Sequence, residues 1–173
     1  VKLSAGIVLG MMYQSYYSGG DTFIFFRDAK QLSELFRTDA TSYVRFLWND
    51  ESQAMWSGMN RSLFFTKVVS VVNVLTLDNY WITSLYFSLI SFFASWYLVK
   101  EIMTLFPDAK FASALSILFF PTVVFWSSGL VKESLAMAAL FFLAGFFLLL
   151  MNKAKPSIAE WILVPVSLWV LWT

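Results

Sequence analysis

From residue 135 to residue 151 the chain carries no polar side chain at all, only Leu, Ala, Met, Phe and Gly. A run of that kind is about the shortest that crosses a bilayer, which takes roughly 17 to 25 apolar residues in a helix. Four more stretches read the same way: 3–17, 79–99, 111–131 and 158 onward. In lipid every backbone amide must find its partner inside the chain, so spanning segments of this kind are helices. The composition agrees. Of the 173 residues, 59% are hydrophobic, 20% aromatic and only 13% charged, where a soluble domain carries about a quarter charged residues. The expected fold is an all-α integral membrane protein of about five transmembrane helices, with amphipathic or interfacial helices in a long first loop.

Composition also removes whole classes of function. The net charge of +1 offers no basic excess for a nucleic acid. With neither Cys nor His, zinc sites built on those ligands, disulfide frameworks and His-dependent nucleophilic systems are excluded. Acid–base chemistry must rest on Asp, Glu, Lys or Tyr.

The short connections carry their lysines unevenly. Lys100 and Lys110 lie in one and Lys153 and Lys155 in another, and the positive-inside rule puts both on the cytoplasmic side. Residues 18–78 and the turn at Ser127-Ser128-Gly129 then face outward. The organisation expected is a first transmembrane helix over 1–17, an extracytoplasmic loop over 18–78, and transmembrane helices two to five over 79–173. The chain opens on Val1 and closes within an apolar run, so it reads as a piece of a longer multi-pass protein of the cell membrane, the bacterial inner membrane by preference. Residues 3–17 lack the basic start and the small-residue cleavage site of a signal peptide.

The outward loop is polar but patterned. Residues 22–36 place Phe25, Ala29, Leu32 and Phe36 on one stripe, widened by Phe26 and Leu35, as in an amphipathic helix. A shorter helix is expected over 42–48. Residues 62–77 are nearly long enough to span, but Lys67 and Asn73 count against it, because a lysine at a helix centre costs about 2.5–3.5 kcal/mol on insertion scales. An interfacial helix is the reading for that stretch.

Six residues could carry chemistry. Asp21 follows Ser18-Gly19-Gly20, where the first span emerges. It reads either as a cap for the helix that follows or as a general base beside low-dielectric lipid. Arg27 and Asp28 are sequence neighbours and pair only with other elements. Arg61 sits before the interfacial helix, where it snorkels or holds a lipid phosphate, and Asp50-Glu51 reads as solvated surface. Lys132-Glu133 stands where one span turns into the next. It is either an ordinary hairpin, with Glu133 at the positive helix end, or an anion site at headgroup depth.

The run Tyr16-Tyr17-Ser18-Gly19-Gly20-Asp21 after a first span, the long loop with amphipathic helices, and the stretch from Phe120-Pro121-Thr122 through Trp126-Ser127-Ser128-Gly129 to Lys132-Glu133-Ser134 together resemble the GT-C superfamily of membrane glycosyltransferases. The resemblance implies transfer of a sugar from a polyprenyl-phosphate donor to an acceptor at the extracytoplasmic face. It gives Asp21 the role of base, and Arg27, Asp28, Arg61, Lys132 and Glu133 that of binding substrate. A metal would need Asp28 or another carboxylate beside Asp21, with oxygen ligands suiting Mg²⁺ or Mn²⁺; Asp21 has no immediate acidic neighbour, so no metal ligand is assigned. Two rivals stand beside this: a non-catalytic membrane subunit of an envelope assembly, and a polymerase or transporter of lipid-linked oligosaccharides. The partners implied are membrane lipids, the donor lipid and other membrane proteins.

Overall fold

A computed structural model describes residues 1–16, 20–49 and 60–172, with the side chains of 60–62 left out. Among the described residues there is no strand. The helices are α1 (Lys2–Ser15), α2 (Asp21–Thr38), α3 (Ala40–Asn49), α4 (Asn60–Thr76), α5 (Tyr80–Leu105), α6 (Lys110–Ala114), α7 (Pro121–Trp126), α8 (Lys132–Met151) and α9 (Ile158–Trp172). Two of them, α5 with 26 residues and α8 with 20, are long and apolar enough to cross a membrane; α9 and the 63–76 part of α4 are apolar but shorter.

The central element is α5, with α1, α4 and α8 packed around it. Helix α8 approaches closely because residue 145 is glycine: a Cβ there would come within 2.7 Å of the Tyr97 ring and 3.2 Å of the Leu98 backbone. Helix α1 does the same on another side through Gly6, where a Cβ would meet Ser88 Oγ at 2.5 Å and the Gly129 nitrogen at 3.1 Å. Helix α9 leans on α8, with Trp161 edge-on to Phe146 at 5.4 Å. Its first turn is tied to α5 by the Tyr97 hydroxyl, which donates to Glu160 at 2.8 Å.

The inner face of α5 is polar and its outer face apolar. Thr83, Ser84, Ser88, Ser91 and Ser95 are all buried, while Ile82, Tyr86, Ile90, Phe93 and Trp96 are exposed. Helix α4 repeats the arrangement: Thr66, Ser70, Asn73 and Thr76 point inward and Val71 and Leu75 outward. A soluble bundle would bury the second set and expose the first. Small and hydroxylated residues between helices with apolar residues outside are what a lipid surrounding selects, because there interhelical packing and hydrogen bonds bring helices together.

Helices α2 and α4 lie side by side. Phe25 meets Phe65 edge-on at 5.3 Å, and Ala29, Val69, Phe87 and Leu130 complete the cluster beneath them. The short α3 folds back through Leu32, Tyr43 and Phe46, with Tyr43 Oη 3.0 Å from Ser70 Oγ. Asp39 opens α3 by accepting from the amides of Thr41 and Ser42, both at 3.1 Å. The turn from α4 to α5 is made by two left-handed residues, Leu77 (φ 53°) and Asp78 (φ 58°). Asp78 is held by the Ser33 hydroxyl and by Arg37 Nη1 at 2.5 Å. Asn79 then caps α5, accepting from Trp81 N at 3.1 Å and Ile82 N at 3.2 Å. Thr83 donates to Asn73 Oδ1 at 2.9 Å and lies 2.7 Å from Thr76 Oγ1.

Two expectations change and two placements are added. The stripe on α2 buries Phe25, Ala29 and Leu32 together with Thr22 and Ser33, whereas Phe36 is exposed on its rim, 5.3 Å from Tyr43. In α4 the polar residues that argued against insertion turn into the protein: Lys67 is half-buried, donating to the Leu47 carbonyl at 2.9 Å and lying 5.1 Å over the Phe46 ring. Residues 111–131 are no continuous helix. Helix α6 passes into a π turn over Leu115–Phe119, Phe120 is extended, and Pro121 starts the six-residue α7. Pro121 removes an amide that a continuing helix would need and disfavours helical geometry at Phe120. The Ser127–Gly129 turn is buried against α1 and α5.

Candidate functional site

Asp21 opens α2. Its neighbour Gly20 is the N-cap, and no side chain makes a capping hydrogen bond. The capping role expected of Asp21 is therefore corrected: helical geometry starts at Asp21 itself, because Gly20 can sit against the Tyr13 ring of α1 where any Cβ would collide. Thr22 is buried and lies 3.1 Å from Tyr80 Oη. Tyr80 also stacks on Phe23 at 4.5 Å and meets Phe26 edge-on at 5.3 Å. This cluster fixes the start of α2 on the start of α5, leaving Asp21 exposed at the end of α1.

Along α2, Asp21, Phe25 and Asp28 fall on one side of the helix by their spacing. Phe25 carries the ammonium of Lys132 4.5 Å from its ring centroid, a cation–π contact. Lys132, the first residue of α8, thus joins the α2 side. Asp28 is half-buried, and burial pushes its carboxyl up from the ordinary range, with neighbouring Arg27 offsetting part of the shift. Arg27 itself is exposed. Glu133 leaves the group: it is exposed and lines a separate apolar groove of about 410 Å³ with Thr122, Trp126, Met137 and Leu171. The side chain of Arg61, like all of Asp50 and Glu51, lies outside the described residues.

A cation shared by Asp21 and Asp28 does not fit this geometry. Seven residues of helix separate them by about 10 Å along the axis, while carboxylate oxygens bind Mg²⁺ within about 2.1 Å. Among the described residues no three acidic side chains gather at a metal-binding distance. The chemistry open to Asp21 is that of an exposed carboxylate: accepting a proton or a hydrogen bond from a hydroxyl, with a cation one helical turn away on Phe25.

Sequence reasoning passed over the most deeply buried charge described. Lys2 is 3% exposed and its ammonium donates to Ser95 Oγ at 2.6 Å, Ser127 Oγ at 2.8 Å and Ser91 Oγ at 3.2 Å. The signal was present: serines at 84, 88, 91 and 95 recur on one face of an otherwise apolar helix, opposite an apolar helix bearing one lysine. The same face receives the break after α7, where Gly129 (φ 78°) donates its amide to Ser88 Oγ at 2.8 Å.

No protein-family model, no curated protein and no solved structure matches the chain.

Proposed function

We propose that this chain is a multi-pass membrane protein acting as the N-terminal part of a GT-C-like glycosyltransferase. In this reading α1, α5, the broken α6–α7 segment, α8 and α9 make five passages of the bacterial inner membrane, with residues 18–78 outside. The apolar exterior and hydroxyl-lined interior of α4 and α5 support the lipid setting. The observation that carries the catalytic reading is the place of Asp21: exposed at the end of α1, with its carboxylate not consumed by a cap.

Asp21 takes the proton of an acceptor hydroxyl as its oxygen attacks the anomeric carbon. The bond to the polyprenyl phosphate breaks and the phosphate leaves with the electron pair. Lys132, with Arg27 and Arg61, stabilises that charge, which is where fixed cations contribute most. The test is sugar transfer from a radiolabelled polyprenyl-phosphate donor pool by the full-length protein in native membranes, beside Asp21→Asn. Removal of a general base costs about 10²- to 10⁴-fold, and the variant should elute unchanged in gel filtration. Equal transfer by both proteins removes Asp21 from catalysis and favours a non-catalytic subunit.

A further inference from the structure

Helices α5 and α9 pack on α8 more than on each other, and the space between them is a cleft of about 530 Å³. Small residues make the room. Ala94 on α5 and the buried Ala138 and Ala139 on α8 stand where larger side chains would close it. A volume of that size suits a small organic molecule. Ile90 and Phe93 also line the cleft and are exposed on the apolar face of α5, so a ligand dissolved in the bilayer reaches it. At the Tyr97 end stands Glu160, the only charged side chain in the wall among the described residues.

Glu160 lies in the first turn of α9 and forms a capping box with Ser157. Its Oε2 accepts from the Ser157 amide at 2.6 Å and hydroxyl at 2.9 Å, and its own amide donates to Ser157 Oγ at 3.3 Å. Oε1 accepts from the Tyr97 hydroxyl at 2.8 Å. Three donors thus fill three of about four acceptor sites of the carboxylate, yet no ion pair neutralises it among the described residues. Lys100, the cation within electrostatic reach, is exposed and pairs with Glu101 at 3.3 Å. The Tyr97 ring stacks on Phe142 at 5.4 Å, and both rings line the cleft with Phe93. We infer that this cleft binds a lipophilic organic cation without N–H donors, a quaternary ammonium or phosphonium, held by the rings of Phe93, Tyr97 and Phe142 and by the charge of Glu160. A primary ammonium would find the acceptor sites of the carboxylate largely taken. A quaternary cation needs only charge and aromatic faces, as in the recognition of choline-like groups. The inference stands apart from sugar transfer: Tyr97 is about 25 Å along α5 from Tyr80, against which the start of α2 is fixed.

The full chain in dodecylmaltoside micelles is titrated by calorimetry with tetraphenylphosphonium and separately with tetraphenylborate, an ion of the same shape and opposite charge. Each titration is corrected for the heat of entering empty micelles. The phosphonium should bind at one site per chain and about tenfold more tightly than the borate, the difference made by a partly desolvated cation–π and charge contact. Glu160→Gln, which a capping box accommodates, should lose about tenfold in phosphonium affinity, whereas Glu160→Asp should keep the preference for the cation. Ala139→Phe fills the cleft and should abolish saturable binding. Equal affinity for the two ions in the wild type overturns the inference, and that comparison needs no variant to fold. Phosphonium binding unchanged in Glu160→Gln also overturns it, because the cation then sits at another carboxylate. Saturable binding that survives in a folded Ala139→Phe would overturn it as well.

Discussion

Glycine and asparagine carry disproportionate weight in this chain because each occupies a position no other side chain fills as well. Gly6 lets α1 descend onto Ser88 and the Gly129 backbone. Gly6→Ala places a methyl group 2.5 Å from Ser88 Oγ, and overpacking of that kind costs about 1–3 kcal/mol. A lowered melting temperature of the purified protein in detergent is the expected result. Asp28 gives a pH-dependent prediction. Burial raises its carboxyl above the ordinary value, so the folded chain holds this proton more tightly than the unfolded one. Its contribution is complete below the unfolded carboxylate range and is lost as pH rises through the folded value. Asp28→Asn should flatten that loss, seen as a smaller drop in melting temperature between acid and neutral buffer than in the wild type. Of the six candidate site residues, Asp21 could be read from the sequence either as a cap or as a base, and Gly20 takes the cap position. Capping chemistry is legible from an Asp after two glycines, but which residue takes the cap depends on Tyr13 packing against Gly20.

At the scale of elements, long apolar runs and the amphipathic stripe made α2, α5, α8 and α9 readable, since period and length decide those. The break at Phe120–Pro121 was signalled by proline, but the extended Phe120 and the buried turn after Trp126 were not. That turn depends on Ser88 and Lys2, 41 and 125 residues away from their partners. In α4, which the sequence reads as interfacial, Lys67 and Asn73 face Leu47 and Thr83, partners that lie 20 and 10 residues away. The start of α5, just after the turn from α4, rests on Asn79 as its cap. Asn79→Ala removes the acceptor for two amides and should cost about 1 kcal/mol, measured by thermal unfolding; Asn79→Asp, which keeps an acceptor, should lose little.

For the whole molecule, the decisive feature is the inversion of polarity between surface and interior. Serines and threonines fill the seams of α4 and α5, and Phe, Trp and Ile cover the outside. Composition points to a lipid setting, and the packed helices add that the polar residues line the helix contacts. An exterior of this kind in water would be a large apolar patch and an aggregation hazard. In a bilayer it is the ordinary lipid-facing surface.

The chain contains no cysteine, so single cysteines map its placement directly. Asp21→Cys, Lys153→Cys and Phe93→Cys, each exposed in the fold, would be treated with a membrane-impermeant maleimide on intact and then on opened cells. The account predicts that Asp21→Cys labels on intact cells, that Lys153→Cys labels only after opening, and that Phe93→Cys stays unlabelled until detergent is added. Ready labelling of Phe93→Cys without detergent would contradict the lipid-immersed bundle. Labelling of Asp21→Cys and Lys153→Cys from the same side would contradict the placement of Asp21 at the outer face, and with it the proposed chemistry.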